Sequence, residues 1–341
     1  MSNERTVYFN NIFLLQSVIF FLLILLPQCT VFSGEAIYEG NPVSPEIESA
    51  YIKGLAYLLK TQNEDGTWSD EYGMEPGVVG LAVMAMLAHG DDPNFGQYAL
   101  HISRSINFIL SQVNSQNGYI GRSMYNHGFA TLALAEAYGA VNNPRIGPAL
   151  KRAIELIISS QSQNPQGGWR YVPYSRDADT TVTGAQMMAL LAARNAGIGI
   201  PQSVIDTGLK FFSYCQGSDG GIGYVGPGDS NLTRTAIGAV IFSLARQKNT
   251  REYKSILRYL EQARLNTQDH HFFYCLYYST MAYFHAGKEI WEKWSKPTFK
   301  YLLNLQNQDG SWNGTQGRLF STTMALLSLA VNYRFLPIYE R

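Results

Sequence analysis

The residues best placed to do chemistry are the two carboxylates of Asp177-Ala178-Asp179-Thr180-Thr181. A carboxylic acid raised in pKa by its surroundings can hold a proton and deliver it to a substrate, which is the work of a general acid. The same residues have a plainer use. Asp179 directly precedes TTVTGAQMMALLAARN, a helix-forming run for which Asp is a strong N-cap, and Arg176 is close enough in sequence to pair with either acid. A second group, Asp269, His270, His271 and Cys275, offers metal-ligand residue types, with His271 and Cys275 four apart on one helix face. A polar loop followed by a buried cysteine accounts for it more simply, and neither a metal nor a cofactor is expected.

Which of these groups meet depends on the elements that carry them. The stretch QNEDGTWSD at Gln62 returns as QNQDGSWNG at Gln306, and weaker copies follow the helical stretches that end at Gln112, Gln161 and Gln216. These glutamines recur about every 50 residues, except for one gap of about 90 before Gln306. The gap holds one more unit: a helical stretch from Glu252 to Leu265, the polar turn NTQDHH and then FFYCLYYSTMAYFHAG, with the Gln, Gly and Trp signals lost. Six units follow.

Each unit pairs two helices of different character. The first is amphipathic, as in Leu150, Ala153, Ile154, Ile157 and Ile158 with Lys151, Arg152 and Glu155 between them. That pattern fits an outer helix with one wet face. The second is apolar nearly all round, as in VVGLAVMAML and TAIGAVIFSLA, and must be buried on most sides. Six such hairpins close into a ring, so the sequence predicts an all-α protein, an α/α toroid with an inner and an outer circle of helices. In the cassettes, Gln62, Trp68, Gln306 and Trp312 read as staples: the Gln bonds backbone groups at a helix end, the Gly makes the turn, and the Trp packs between helix ends.

These cassettes resemble the QW motifs of the terpenoid cyclase and protein prenyltransferase superfamily. The resemblance runs from about Glu46 to the C-terminus and is nearest to secreted bacterial proteins with prenyltransferase and squalene oxidase repeats. It implies the toroid, but not one activity. For a class II, squalene-hopene-type cyclase it implies Asp179 as proton donor and Asp177 as the first acidic position, with Thr180 where the family has a further Asp. The zinc-ligand spacing and basic run of the prenyltransferases are absent. So is the Gly-Cys-Gly-Glu-Gln setting of a thioester domain around Cys215-Gln216-Gly217.

In such a toroid the inner helices start at one mouth. Residues there converge: His127, Asp179 and Arg234 for a polar or anionic head group, and Phe129, Tyr274, Tyr277 and Tyr278 for an apolar pocket. Glu75 also falls at the mouth, and with Asp179 it would supply the carboxylate pair of a polysaccharide-cleaving toroid if the two stand across a cleft. The leading reading is a noncatalytic or uncharacterised terpenoid-cyclase-like protein that takes an apolar, isoprenoid-type ligand or a protein partner in its central cavity, with the class II cyclase as the alternative.

Bulk composition sets the remaining bounds. Lys plus Arg and Asp plus Glu balance at 26 each, so no global field draws the chain to nucleic acid. An apolar run from Ile12 to Leu26, Pro27 and the small-residue signal ending at Ser33 read as a signal peptide over 1–33, and therefore as export to the periplasm or beyond. A linker over 34–45, the toroid over 46–335 and a short tail over 336–341 complete the expected layout. Membrane contact is expected only through an uncleaved N-terminal segment. Cys215 and Cys275 then remain in an oxidising compartment; they read as buried thiols, with a disulfide open if the fold brings their Cα atoms within about 7 Å.

Overall fold

Every residue of the helix Pro76–Leu87 is buried, and this sets the architecture: a helix with no wet face must be surrounded by others. The computed structural model describes residues 43–333 and 335–339. The expected signal peptide and most of the linker lie outside the described residues. Within them the chain forms twelve α-helices and no strand. In chain order they pair as α1 (Pro45–Thr61) and α2 (Pro76–Leu87), α3 (Ala99–Ser111) and α4 (Met124–Ala137), and α5 (Ile146–Ser162) and α6 (Thr180–Asn195). The second half continues with α7 (Gln202–Tyr214) and α8 (Leu232–Leu244), α9 (Arg251–Gln262) and α10 (Phe272–Ala286), and α11 (Lys288–Asn304) and α12 (Arg318–Ala330).

The even-numbered helices form the inner ring. Each packs on the next, and α12 packs back on α2, so the ring is closed. Close approach needs small residues: a Cβ added at Gly184 of α6 would come 2.3 Å from the Ile237 side chain of α8. The odd-numbered helices surround this core with one apolar face each. In α5 that face is Ile146, Ala149, Leu150, Ala153, Ile154 and Ile157, while Lys151, Arg152 and Glu155 face solvent. Packing does not follow the sequence repeat. Each outer helix rests mainly on the inner helix that precedes it, so α1 rests mainly on α12.

The cassettes explain this. The indole N–H groups of Trp68, Trp169 and Trp312 donate to the carbonyls of Leu58, Ile157 and Leu302 in the outer helix just left, at 3.0, 2.9 and 2.8 Å. The Gln amides reach onward. Gln62 donates to His101 O, Gln161 to Val204 O, Gln216 to Glu252 O and Gln306 to Ala50 O, all at 2.8–3.0 Å. Each acceptor lies near the start of the next outer helix, so the Gln ties consecutive outer helices instead of its own helix end. Gly310 shows why glycine is needed. Its φ is +91°, and a Cβ there would stand 2.1 Å from Lys53 O.

After α12, Pro337–Tyr339 forms a 3-10 turn against α6, with Ile338 and Tyr339 fully buried. The Tyr339 hydroxyl donates to Leu327 O at 3.2 Å, late in α12, and so plugs the ring at the C-terminal ends of the inner helices. Cys215 and Cys275 are free, buried thiols, with no disulfide between them.

Candidate ligand-binding site

The inner helices direct their N-terminal ends to one mouth, and a cavity of about 720 Å³ opens there. The sequence builds its wall through a shared register. Ser123, Asp179 and Asn231 all have extended backbone and cap α4, α6 and α8 by accepting N–H bonds from two or three residues on. Two residues past each cap, Tyr125, Thr181 and Thr233 stand in the cavity wall. Four residues past each cap, a side chain instead turns to the cassette and accepts its backbone N–H: Thr183 from Trp169 at 3.0 Å, Thr235 from Ile222 at 3.0 Å, and His127 from Ile120 at 3.1 Å.

That register decides the fate of the expected site residues. Phe129, Arg234 and Tyr274 lie in the wall. His127 does not. Besides accepting from Ile120, it donates through Nε2 to Ala153 O at 3.1 Å, and complete burial lowers its pKa to about 4. It is a neutral core residue, not a ligand for a head group. Tyr277 and Tyr278 are fully buried, with ring centroids 5.0 Å apart, and neither reaches the wall.

Asp179 and Asp177 are also outside the wall. Asp177 is exposed and pairs with Arg170 Nε at 3.5 Å. Asp179 is wholly buried. Its Oδ1 accepts from the backbone N–H of Thr181 and Val182 at 2.9 and 2.8 Å and from the Thr181 hydroxyl at 2.6 Å. Its Oδ2 makes no hydrogen bond and lies 3.6 Å from Arg170 Nη1. Burial pushes the carboxyl above its ordinary pKa, opposed by the Thr181 and Val182 bonds and by Arg170. The cation partnering both acids is thus Arg170, not the expected Arg176. Arg170 lies over Tyr171 and Tyr224, 5.0 and 5.2 Å from the ring centroids.

Several wall residues were not foreseen. Tyr125 is one: its hydroxyl lies 2.5 Å from Thr181 Oγ1, which links it to Asp179. Tyr72, Tyr171 and Tyr224 enter from the loops, and Arg122 stands beside Ser123. Only the position two past a cap could have pointed to Tyr125. Glu75 lines the cavity and accepts from Asn126 Nδ2 at 2.5 Å, but Asp179 does not share the cavity with it. His271 lines the mouth beside Gln316 Nε2, 2.6 Å from its Nδ1. Among the described residues no three His, Cys, Asp or Glu side chains are grouped to hold a metal.

The fold is shared with known proteins. A variant of the type II terpene cyclase MstE from Scytonema, in complex with its substrate geranylgeranyl dihydroxybenzoate, matches at a TM-score of 0.60 and 15% identity, over 85% of this chain and 98% of that one. The GH76A α-1,6-mannanase of Salegentibacter sp. HEL1_6, an inactive variant in complex with α-1,6-mannotetrose, matches at 0.65 and 10% identity, over 84% and 98%. A family 76 glycoside hydrolase from a bovine Bacteroides thetaiotaomicron strain matches at 0.63 and 11%, over 85% and 78%. No protein-family model and no curated protein sequence matches the chain. The chain is an α/α toroid, the fold that type II terpene cyclases and family 76 glycoside hydrolases share. At these identities the likeness defines the fold and leaves the activity to the site.

Proposed function

We propose that the protein is an exported, noncatalytic toroid whose cavity binds an apolar, isoprenoid-type molecule with a polar end. One observation carries this reading. The cavity is walled by aromatic rings and apolar side chains such as Val78, Leu81, Phe129 and Phe320, with Arg122 and Arg234 among them, while the one fully buried acid beside it is turned into a helix cap. Apolar concavity with a few convergent polar groups is the usual form of a small-molecule site. The test is native mass spectrometry of the mature chain with geranylgeraniol and with squalene. A one-to-one complex recovered chemically unchanged, and weakened by Phe129→Asp, is expected; absence of any complex with either would sink the reading. Export is tested by N-terminal sequencing of secreted material, with a start near Gly34 expected and a retained Met1 against it.

A second reading, a class II cyclase with Asp179 as acid, is favoured by the burial of that carboxyl and by its free Oδ2. Cyclised product from squalene or a related linear isoprenoid, lost in Asp179→Asn, would establish it in place of the first. The polysaccharide reading would need a different carboxylate pair from Glu75 and Asp179, since Asp179 caps α6; Asp269 is the acid that lines the cavity with Glu75.

A further inference from the structure

The protons at the cavity wall are ordered by a chain of three side chains. Asp179 Oδ1 is aimed at by two backbone N–H groups, which only donate, so this oxygen is an acceptor whether or not Oδ2 carries a proton. Thr181 Oγ1 lies 2.6 Å from that oxygen. Two oxygens so close need a proton between them, and only the threonine can supply it. The Thr181 hydrogen is therefore committed to Asp179. Tyr125 OH, 2.5 Å from Thr181 Oγ1 on its other side, must in turn donate its own hydrogen to the threonine.

What remains on Tyr125 is a pair of acceptor lone pairs in a residue of the cavity wall. Tyr274 also lines the cavity, but its hydroxyl oxygen is buried beside Tyr278 and does not open to the cavity.

We infer that Asp179 acts through Thr181 to hold Tyr125 as an obligate hydrogen-bond acceptor, and that the cavity selects ligands bearing a hydrogen-bond donor, an alcohol above all. A hydroxyl can donate to Tyr125; an ether, ester or aldehyde carbonyl has no hydrogen to offer it. Asp179 is then a positioning residue for specificity. This rests on the proposed binding of an isoprenoid-type molecule and names the polar end of that ligand.

The test uses three probes of one chain length, geranylgeraniol, its methyl ether and geranylgeranial, titrated into the wild-type protein, Thr181→Val and Tyr125→Phe. The wild type is expected to bind the alcohol about tenfold tighter than the ether, the effect of one good hydrogen bond. In Thr181→Val the alcohol-to-ether ratio falls to about threefold or less, because Tyr125 turns free to donate, and the aldehyde gains affinity. Such a gain cannot come from a damaged fold. Tyr125→Phe lowers the alcohol preference without the aldehyde gain. Equal wild-type affinity for alcohol and ether, or a Thr181→Val variant with an unchanged ratio, overturns the inference while leaving the cavity a binding site. Failure of all three probes to bind removes the binding reading and this inference with it.

Discussion

His127 and Thr183 hold the same post in successive repeats: each lies four residues past a helix cap and accepts the backbone N–H of the cassette behind it, from Ile120 at 3.1 Å and Trp169 at 3.0 Å. A histidine serves only as a neutral acceptor there, because its other nitrogen donates to Ala153 O and burial holds its pKa near 4. The consequence is an acid sensitivity that the threonine repeats lack.

The sign follows from linkage. The unfolded histidine takes up a proton as pH falls through about 6.5, and the folded one does so only near about 4, so His127 stabilises the fold fully above the first value and progressively less below it. Over that window the loss is about 2–3 kcal/mol. Denaturant unfolding of the wild type and His127→Thr at pH 7 and pH 4.5 should show their stability difference shifting toward the variant by about that amount at the lower pH. A difference independent of pH would mean that His127 is not held neutral.

Asp179 is expected to behave as a cap. Asn231 performs the same task on α8, so Asp179→Asn should change stability by less than about 1 kcal/mol, whereas Asp179→Ala should cost about 1–2 kcal/mol. Thermal or urea unfolding of both variants reads this directly. Equal losses in the two would show that the negative charge facing Arg170 matters more than the cap.

The six-unit ring was legible because the cassettes need their residue types. A Gly is required where φ is positive against the next helix's backbone, a Trp where an indole must reach back to an outer-helix carbonyl, and a Gln where an amide must reach forward. The cavity was less legible. The positions two past the caps are Tyr125, Thr181 and Thr233, unlike one another, because the repeat constrains the stapling positions and leaves the cavity positions to vary. Tyr274 and Tyr278 show the limit from another side. Four residues apart, they share a helix face, but the second is one turn further along the axis, fully buried and outside the cavity wall. Depth along an axis cannot be read from periodicity.

The glutamines offer a graded test of the staple. Gln306 donates to Ala50 O and Gly310 O at 2.8 and 2.9 Å, across the joint between α11 and α1. Gln112 reaches only its neighbour Ser111. Gln306→Ala should therefore cost about 1–3 kcal/mol by urea unfolding, and Gln112→Ala less than about 0.5 kcal/mol. Similar losses at both sites would refute the division of roles.

Tyr339 should matter as a core residue does. Replacing this fully buried side chain by Ala should cost about 3–5 kcal/mol, far more than a change in a solvent tail. A melting temperature unaffected by Tyr339→Ala would place the Pro337–Tyr339 turn outside the folding unit.

Because α1 rests mainly on α12, the order of synthesis and the order of assembly conflict. Helix α1 leaves the ribosome with its apolar face uncovered, and its partner α12 is made only after the ten helices that lie between them. Units two to five can settle against their neighbours as they emerge, but the circle is sealed only after translation has passed Ala330. Until then the growing chain is an open arc with an uncovered face at each end, and those faces are what a chaperone would meet.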